Sequence, residues 1–514
     1  MTYGRMRVRP SDASICGNMR PSAMNTETNA PLLGRPALAG LVAGVLIMAA
    51  TWLLPPPEGL PQAGWQTLGL ALAMAVWWST EPVPIGVTAL APLIVLPLSG
   101  VSDIAAAAAP YANPLVFLFM GGFLLAAGVS RWDLHQRMAT EVVRIIGDAP
   151  GRLVLGFMVA TGFLSMWISN TAAVVLMLPV ASSVVSSVEE GGHAVEDVRR
   201  FALALFLGLA YAASIGGMGT LIGTPPNALM AGYLWDRHGI DLSFAAWMAV
   251  AMPMVAIFLP AAWFVLTRVV YPVSAETACG ISGGHLPEGL KPGEPLTPPQ
   301  RRVAMVFAIA AGCWIARPVL NSLPGLEGLS DAGIALACGA ALFLIPSGSS
   351  IQRRFLMTWR EAQEIPWQVL ILFGGGLSLA SAMDSSGLAS WIGEMLAGLG
   401  GLSPLVFLLL VTTTVVLLTE LASNTATVAA LLPVVSTIAA GADMDIIVVA
   451  AAVAMAASCA FMLPVATPPN ALVFASGHVT VAEMIRAGAL MNMLSVALVS
   501  AAALLLAPVF RFPQ

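Results

Sequence analysis

Charge is scarce in this chain. Asp, Glu, Lys and Arg together make up 10% of its 514 residues. An ordinary soluble domain has about a quarter of its residues charged, so a soluble fold is excluded. Lys and Arg number 22 against 27 Asp and Glu, a net charge of −5, which says little about partners, since placement and not the balance carries the information; no nucleic-acid partner is expected. The five cysteines, Cys16, Cys279, Cys313, Cys338 and Cys459, show neither paired nor metal-ligand spacing, so they predict no disulfide framework and no zinc site. The five histidines, at 135, 193, 238, 285 and 478, fall at the ends of apolar stretches or between them. An intramembrane enzyme needs a nucleophile with its base, or a metal cluster, on facing helices. The pattern supplies neither, and no enzyme is expected. None of the 48 glycines sits in a convincing nucleotide-binding fingerprint, so no organic cofactor is expected either.

What the chain has instead is apolar helix. Hydrophobic residues make up 58% of it and the mean hydropathy is +0.86. A bilayer core takes roughly 20 apolar residues per helix. On that measure the chain reads as an all-α polytopic membrane protein with about eleven transmembrane helices, near 37–54, 65–79, 85–100, 114–130, 200–235, 246–271, 302–319, 329–346, 366–385, 446–476 and 484–509. Two further apolar stretches, about 153–187 and 403–440, are each divided by a Ser-Asn-Thr triplet into arms near the lower limit for spanning, and are expected to be re-entrant hairpins. The segment 37–54 runs into Pro55-Pro56-Pro57 with no small-residue cleavage site, as a first membrane helix does and a removed signal peptide does not. Residues 1–36 form a polar, Arg-bearing tail in which Met19 and Met24 offer alternative starts.

The chain is duplicated. Ser169-Asn170-Thr171 recurs as Ser423-Asn424-Thr425, 254 residues on, and the hexapeptide Thr224-Pro225-Pro226-Asn227-Ala228-Leu229 recurs unchanged as Thr467 to Leu472. Asn113 to Gly122 likewise resembles Pro366 to Gly375, each followed by a predicted amphipathic interfacial helix, about 131–147 and 387–399. The halves are 37–271 and 301–514, joined by a polar linker at 272–300 rich in Gly and Pro. An odd number of spans separates equivalent elements, so the second copy is expected to be inverted. With the N-terminus cytoplasmic and neither hairpin crossing, 19 of the 22 Lys and Arg collect inside and only Arg237, Arg317 and Arg511 stay outside. Such a bias is the mark of cytoplasmic loops, and it puts the C-terminus outside.

Polar triplets and double prolines breaking hydrophobic helices at matching points of two halves point to a secondary transporter's midplane site. A lone Ser-Asn-Thr is commonly an interhelical hydrogen-bonding patch, and a lone Pro-Pro-Asn a kink. Recurrence of both, in the same order, is what marks a site. A hairpin tip supplies hydroxyls and an amide. It also places a helix N-terminus, with its unpaired N–H groups and partial positive charge, where an anion can reach it. The helix that arrives at the tip presents carbonyls suited to a cation. Pro225-Pro226 removes two donors and frees the carbonyls upstream.

With Trp77 to Pro84, Ser214 to Asn227, and Thr419 to Thr425, the chain resembles the divalent anion sodium symporter family, which carries dicarboxylates, citrate and sulfate; the likeness covers nearly all of 37–510. The resemblance implies a homodimer, with a fixed scaffold and a transport domain moving as an elevator. The compact chain, without long loops, is expected in a bacterial inner membrane. It implies one sodium site at Ser165, Ser169, Asn170 and the Gly223 backbone. The inverted counterpart is Thr419, Ala422, Asn424 and the Ala466 backbone. It places substrate against Asn170, Thr171, Asn424 and Thr425, with Thr224, Pro225, Thr467 and Pro468 lining the same cavity. The implied activity is sodium-coupled import of a small di- or trivalent anion, a C4-dicarboxylate such as succinate, malate or fumarate. A sodium-independent exchanger or a sulfate carrier on the same fold is the alternative. No Lys or Arg occurs in the four repeated motifs, so bound sodium has to neutralise the anion. Glu420 breaks the neutral pattern: its first-half counterpart is Met166, which favours a structural hydrogen-bonding role over one in the symmetric site. Glu81 is expected near a membrane boundary, and Trp77, Trp78 and Trp167 as packing or interface residues.

The charge asymmetry predicts that single cysteines in 282–296 and 348–358 are protected from an impermeant thiol reagent in intact cells, while one at 441–444 is labelled. Labelling of 348–358 from outside would show that a hairpin crosses.

Overall fold

The computed structural model describes residues 34–135, 137–138, 141, 149–190, 194–274, 295–348, 354–396, 403–441 and 444–505. The N-terminal tail, most of the linker and most of the first predicted amphipathic stretch lie outside these residues. The described residues are helical with no named strand; one isolated bridge joins Pro346 to Phe355.

The first half begins with α1 (Arg35–Leu53), α2 (Gln62–Thr80), two short helices α3 (Ile85–Thr88) and α4 (Ala91–Ser99), α5 (Ile104–Ala108) and α6 (Pro114–Arg131). A hairpin of α7 (Pro150–Ser165) and α8 (Asn170–Glu190) follows, then α9 (Val195–Gly217), α10 (Pro225–His238) and α11 (Phe244–Phe264), which continues as a π-turn to Val270. The second half opens with α12 (Pro298–Leu320), three residues before the expected boundary, then α13 (Asp331–Leu344), α14 (Trp359–Ala362), α15 (Trp367–Ser385) and α16 (Leu388–Leu396). Its hairpin is α17 (Pro404–Thr419) and α18 (Asn424–Gly441), followed by α19 (Ile446–Ala457), α20 (Pro468–Ala475) and α21 (Val481–Leu505).

Proline sets much of this punctuation. It occupies the first turn of α6, α7, α10, α12, α17 and α20, where its missing N–H has no intrahelical partner to lose. Eight helices among the described residues are long and apolar enough to cross a membrane. Three differences from the sequence expectation stand out. The stretch 200–235 is two helices, α9 and α10, and 446–476 is likewise α19 and α20, because each double proline starts a new helix rather than kinking an old one. The stretch 85–100 is divided at Ala89 and Leu90. Finally α8, with 21 residues, is one of the eight, longer than the hairpin arms the sequence predicts.

Two groups of helices emerge from the packing. In one, α7 packs on α9 and α17 on α19, while the broken helices cross between halves, α9 against α20 and α10 against α19. Close approach of α7 and α9 requires glycine: a Cβ on Gly216 would overlap the Gly162 backbone. Every residue of α19 from Val448 to Ala457 is buried. In the other group α1 packs on α2, α6 on α13, and α12 on α13. Trp78 is buried there, its indole N–H donating to Ile85 O at 3.3 Å, while Glu81 is exposed with φ 44° at the end of α2.

Few polar contacts join the groups. Arg317 of α12 pairs with Asp241 at 2.6 Å and with Asp331 at 3.0 Å. Asp331 accepts from Phe244 N, the first residue of α11, at 2.8 Å. Arg237 pairs with Asp384. Beside them Trp167, in the first hairpin's tip, meets Phe307 of α12 edge-on and stacks on Phe244, which stacks in turn on Trp314. Trp167 thus serves packing, as do Trp78 and Trp77, the latter donating its indole N–H to Leu41 O at 3.4 Å.

The Arg317 and Asp331 side chains are only 13% and 7% exposed. Removing one partner of such a pair costs about 3–5 kcal/mol because a buried charge is left alone. The exposed Arg200–Glu196 pair, 42% and 66% exposed, is of the i,i+4 kind that contributes about 0.3–0.5 kcal/mol. Arg317→Ala should therefore lower the melting temperature of the purified protein by several degrees and Arg200→Ala by almost none. Equal shifts would show that the first pair is solvated.

Candidate functional site

Each hairpin tip is a helix end facing a helix start. In the first, α7 ends at Ser165, residues 166–169 turn, and α8 starts at Asn170. Ser169 caps α8, its hydroxyl oxygen accepting from Ala172 N at 3.2 Å. That bond uses the residue type that favours helix starts and leaves Ser169 exposed.

Behind the cap lies a cluster of oxygens. Ser165 Oγ sits 2.6 Å from Asn170 Oδ1 and 2.7 Å from the Ala213 carbonyl. A serine hydroxyl has one proton and both neighbours only accept, so three oxygens share one hydrogen. The second half repeats this: Thr419 Oγ1 lies 2.8 Å from Asn424 Oδ1 and 2.8 Å from the Ala457 carbonyl. Ser165 and Thr419 are fully buried. A proton-poor set of neutral oxygens suits a hard monovalent cation, which would supply the missing positive charge without displacing a ligand.

The first cluster is closed by glycines. A Cβ on Gly217 would stand 2.5 Å from Asn170 Oδ1 and 3.3 Å from the Gly223 carbonyl. A Cβ on Gly223 would reach the Ser165 carbonyl at 3.0 Å. Ser165, Asn170 and Gly223, predicted to act together, are thus in one place. Ala422 and Ala466 of the second set are half-buried and buried at the turns before α18 and α20.

The residues expected to face an anion sit at helix starts. Asn170 and Thr171 open α8, and Asn424 and Thr425 open α18. Thr224 and Thr467 precede α10 and α20 with nearly the same extended backbone, φ −145° ψ 140° and φ −143° ψ 149°. Pro225 is half-buried and Pro468 exposed. These helices pack in pairs across the halves: α8 lies against α20, and α18 against α10.

Several working residues escaped the sequence reading. Asn227 donates its amide to Gly217 O at 3.3 Å, Met218 O at 3.2 Å and Thr220 O at 2.8 Å, gathering the carbonyls that the first break frees. Asn470 does the same for Ala460 O and Leu463 O at 3.1 and 3.0 Å. Both follow the double proline within the repeated hexapeptide, so duplication was the available signal. Trp247 Nε1 donates to Met218 O at 2.9 Å, and the Thr220 hydroxyl to Met166 O. Neither lies in a repeat. Glu420 is buried and accepts from Phe461, Met462 and Leu463 N and from the Asn492 amide, the structural hydrogen-bonding role its asymmetry suggested. Among the described residues no group of His, Cys, Asp and Glu is placed to hold a metal ion.

This chain is similar to proteins whose activities are named. It shares 39% identity over 468 residues, 90% of each chain, with the "Sodium-dependent dicarboxylate transporter SdcS" of Staphylococcus saprophyticus. The protein of that name from Staphylococcus aureus shows 39% identity over 464 residues and 89% of each chain. The solved YdaH transporter of Alcanivorax borkumensis, described as having an unusual topology, superimposes with a TM-score of 0.54 over 92% of this chain and 98% of its own at 14% identity, a likeness of fold. Residues 36–510 match the family described as the sodium:sulfate symporter transmembrane region. With the family spanning the two broken-helix repeats and both hairpins, the protein is a member of the sodium:sulfate symporter family, an integral membrane transporter and not an enzyme.

Proposed function

We propose that this protein moves a small dianion across the bacterial inner membrane together with sodium, and that the cargo is a C4-dicarboxylate such as succinate, malate or fumarate. The observation that carries this reading is the pair of oxygen clusters, Ser165–Asn170–Ala213 and Thr419–Asn424–Ala457, each beside a helix start. One hairpin tip can hold a cation on its carbonyl and hydroxyl side and a carboxylate on its N–H side. Two tips from two halves match a substrate with two carboxylates. The named relatives, sodium-dependent dicarboxylate transporters at 39% identity over nine-tenths of the chain, support the choice of cargo.

Sodium does the electrostatic work in this reading. The repeated motifs contain no Lys or Arg, and a dianion brought to neutral oxygens and amides alone would lose much of its hydration without gaining a counter-charge. Bound cations provide that charge, so substrate and sodium stabilise each other's binding, and linkage makes the effect reciprocal. Asn170 and Asn424 belong to both: each side-chain oxygen faces the cation cluster, and each residue opens the helix that meets the anion. Thr171, Thr425, Thr224, Thr467, Pro225 and Pro468 line the cavity. Ser169, Gly223, Ala422 and Ala466 complete the sodium shells through hydroxyl or backbone oxygen.

Movement follows from the two helix groups. The hairpins and broken helices would travel as one body past the scaffold of α1–α6 and α12–α16, with both hairpins re-entrant, the N-terminus cytoplasmic and the C-terminus outside. The few polar ties between the groups, Arg317 with Asp241 and Arg237 with Asp384, support an interface made to part. A homodimer in which scaffold packs on scaffold belongs to the same reading and draws on the family resemblance.

Two outcomes test it. Succinate should raise the melting temperature of the purified protein strongly in sodium chloride and scarcely in potassium chloride at equal ionic strength. Sulfate should do so less than succinate, and the reverse order would make the cargo the inorganic dianion. Asn170→Ala and Asn424→Ala should each abolish uptake into proteoliposomes with the fold intact, since losing a buried hydrogen-bonding partner costs about 1–3 kcal/mol and more when charge is involved. Gly217→Ala should act like Asn170→Ala, and Gly312→Ala, where a Cβ meets nothing within 4 Å, should be silent.

A further inference from the structure

The two broken helices are held open by opposite means. In the first half, neutral donors collect the freed carbonyls: Asn227 and Trp247 bind Gly217, Met218 and Thr220 O. In the second, a carboxylate also collects freed N–H groups. Glu420 Oε1 accepts from Phe461 N at 2.7 Å, Met462 N at 2.8 Å and the Asn492 amide at 2.8 Å, and Oε2 accepts from Leu463 N at 3.0 Å. Four donors and no acceptor surround it, which suits an acceptor-only anion. Glu420 is 4% exposed, and among the described residues no Lys, Arg or His pairs with it.

That negative charge stands next to one oxygen cluster and not the other. Glu420 follows Thr419, whose hydroxyl lies in the second cluster. The amides it binds, 461 to 463, run between Ala457, which gives the cluster its carbonyl, and Ala466. Its first-half equivalent, following Ser165, is Met166, whose carbonyl accepts from the Thr220 hydroxyl and whose side chain is uncharged.

We propose that Glu420 makes the two sodium sites unequal, so that the site at Thr419, Asn424 and Ala457 binds sodium more tightly and fills first, while the site at Ser165, Asn170 and Ala213 sets the sodium concentration at which transport saturates. This rests on the sodium-coupled reading. A unit charge near a bound cation in a partly desolvated interior shifts its affinity by roughly tenfold or more. The asymmetry orders events: with the second site occupied at low sodium, one half of the cavity is already prepared for a carboxylate, and the arrival of the other ion completes it.

The test is a sodium titration of succinate uptake in proteoliposomes and of succinate-dependent melting, for wild type, Glu420→Gln, Glu420→Asp and Asn492→Ala. Wild type should saturate with a Hill coefficient of about 1, because only the weaker site is titrated; Glu420→Gln should weaken the tighter site about tenfold, so that both sites fill over one range, the coefficient rises toward about 2 and the midpoint rises about two- to threefold. Glu420→Asp keeps the charge and should keep the wild-type coefficient. Asn492→Ala removes one anchor but not the charge, so it should lower the melting temperature and leave the sodium midpoint and coefficient as in wild type. Should Glu420→Gln not fold, Thr419→Ala must still shift the curve differently from Ser165→Ala, by abolishing the low-sodium phase of melting stabilisation that Ser165→Ala retains. A Glu420→Gln protein that loses stability or maximal rate with midpoint and coefficient unchanged would overturn the proposal and leave Glu420 a structural anchor. Equivalent curves for Thr419→Ala and Ser165→Ala would overturn it too. A wild type indifferent to sodium would instead refute sodium coupling itself.

Discussion

Backbone that leaves a helix inside a bilayer has to find new hydrogen-bond partners, and the rest of this molecule is arranged around that obligation. Each half breaks a buried helix once, at 218–224 and at 458–467. In water the freed groups would be solvated at no great cost. In hydrocarbon each unpaired group costs several kcal/mol, so such backbone persists only where protein or a water-filled cavity satisfies it. Asn227, Trp247, Asn470 and Glu420 meet that requirement from the protein side. The carbonyls of Ala213 and Ala457 each share a single hydroxyl proton with an asparagine oxygen, and the sodium sites proposed above draw on what that pairing leaves unsatisfied.

The same constraint explains why hairpins and broken helices pack as one body. An oxygen cluster needs its atoms held to fractions of an ångström, and here they come from three elements each: the end of α7, the start of α8 and the last turn of α9, and the end of α17, the start of α18 and the end of α19. Those contacts are glycine-thin between α7 and α9, which makes them rigid and intolerant of added volume. Helices outside this body have no such duty. They meet it across apolar faces and through ion pairs near the ends of α10, α12 and α15.

Duplication gives two oxygen clusters of the same chemistry, yet the copies are not equal. Identical hexapeptides and identical triplets produce matching Thr224 and Thr467 backbones and matching hydroxyl–amide–carbonyl clusters. Around them the means of support differ, neutral in one half and anionic in the other. A repeat therefore conserves the ligand atoms while leaving their electrostatic surroundings free to diverge, and a transporter that must bind ions and substrate in order has use for that freedom.

Much of this was written in local pattern. Apolar length, the two triplets, the two double prolines and their order already implied membrane helices, two tips and two breaks, and the family resemblance added Ser165 and Thr419 to the tips. Local pattern could not divide 200–235 and 446–476 into separate helices with confidence in where each began, since apolar residues run through the break. Nor could it name the carbonyls of Ala213 and Ala457, 48 and 38 residues from their hydroxyls. Every residue carries a carbonyl, so the sequence marks none of them; only the packing of α7 on α9 and α17 on α19 chooses which one faces the hydroxyl. The same holds for Glu420. Its presence was plain in the sequence, but its partners are backbone N–H groups and an asparagine 72 residues away, and tertiary structure alone decided that this charge would be buried beside one site and absent from the other.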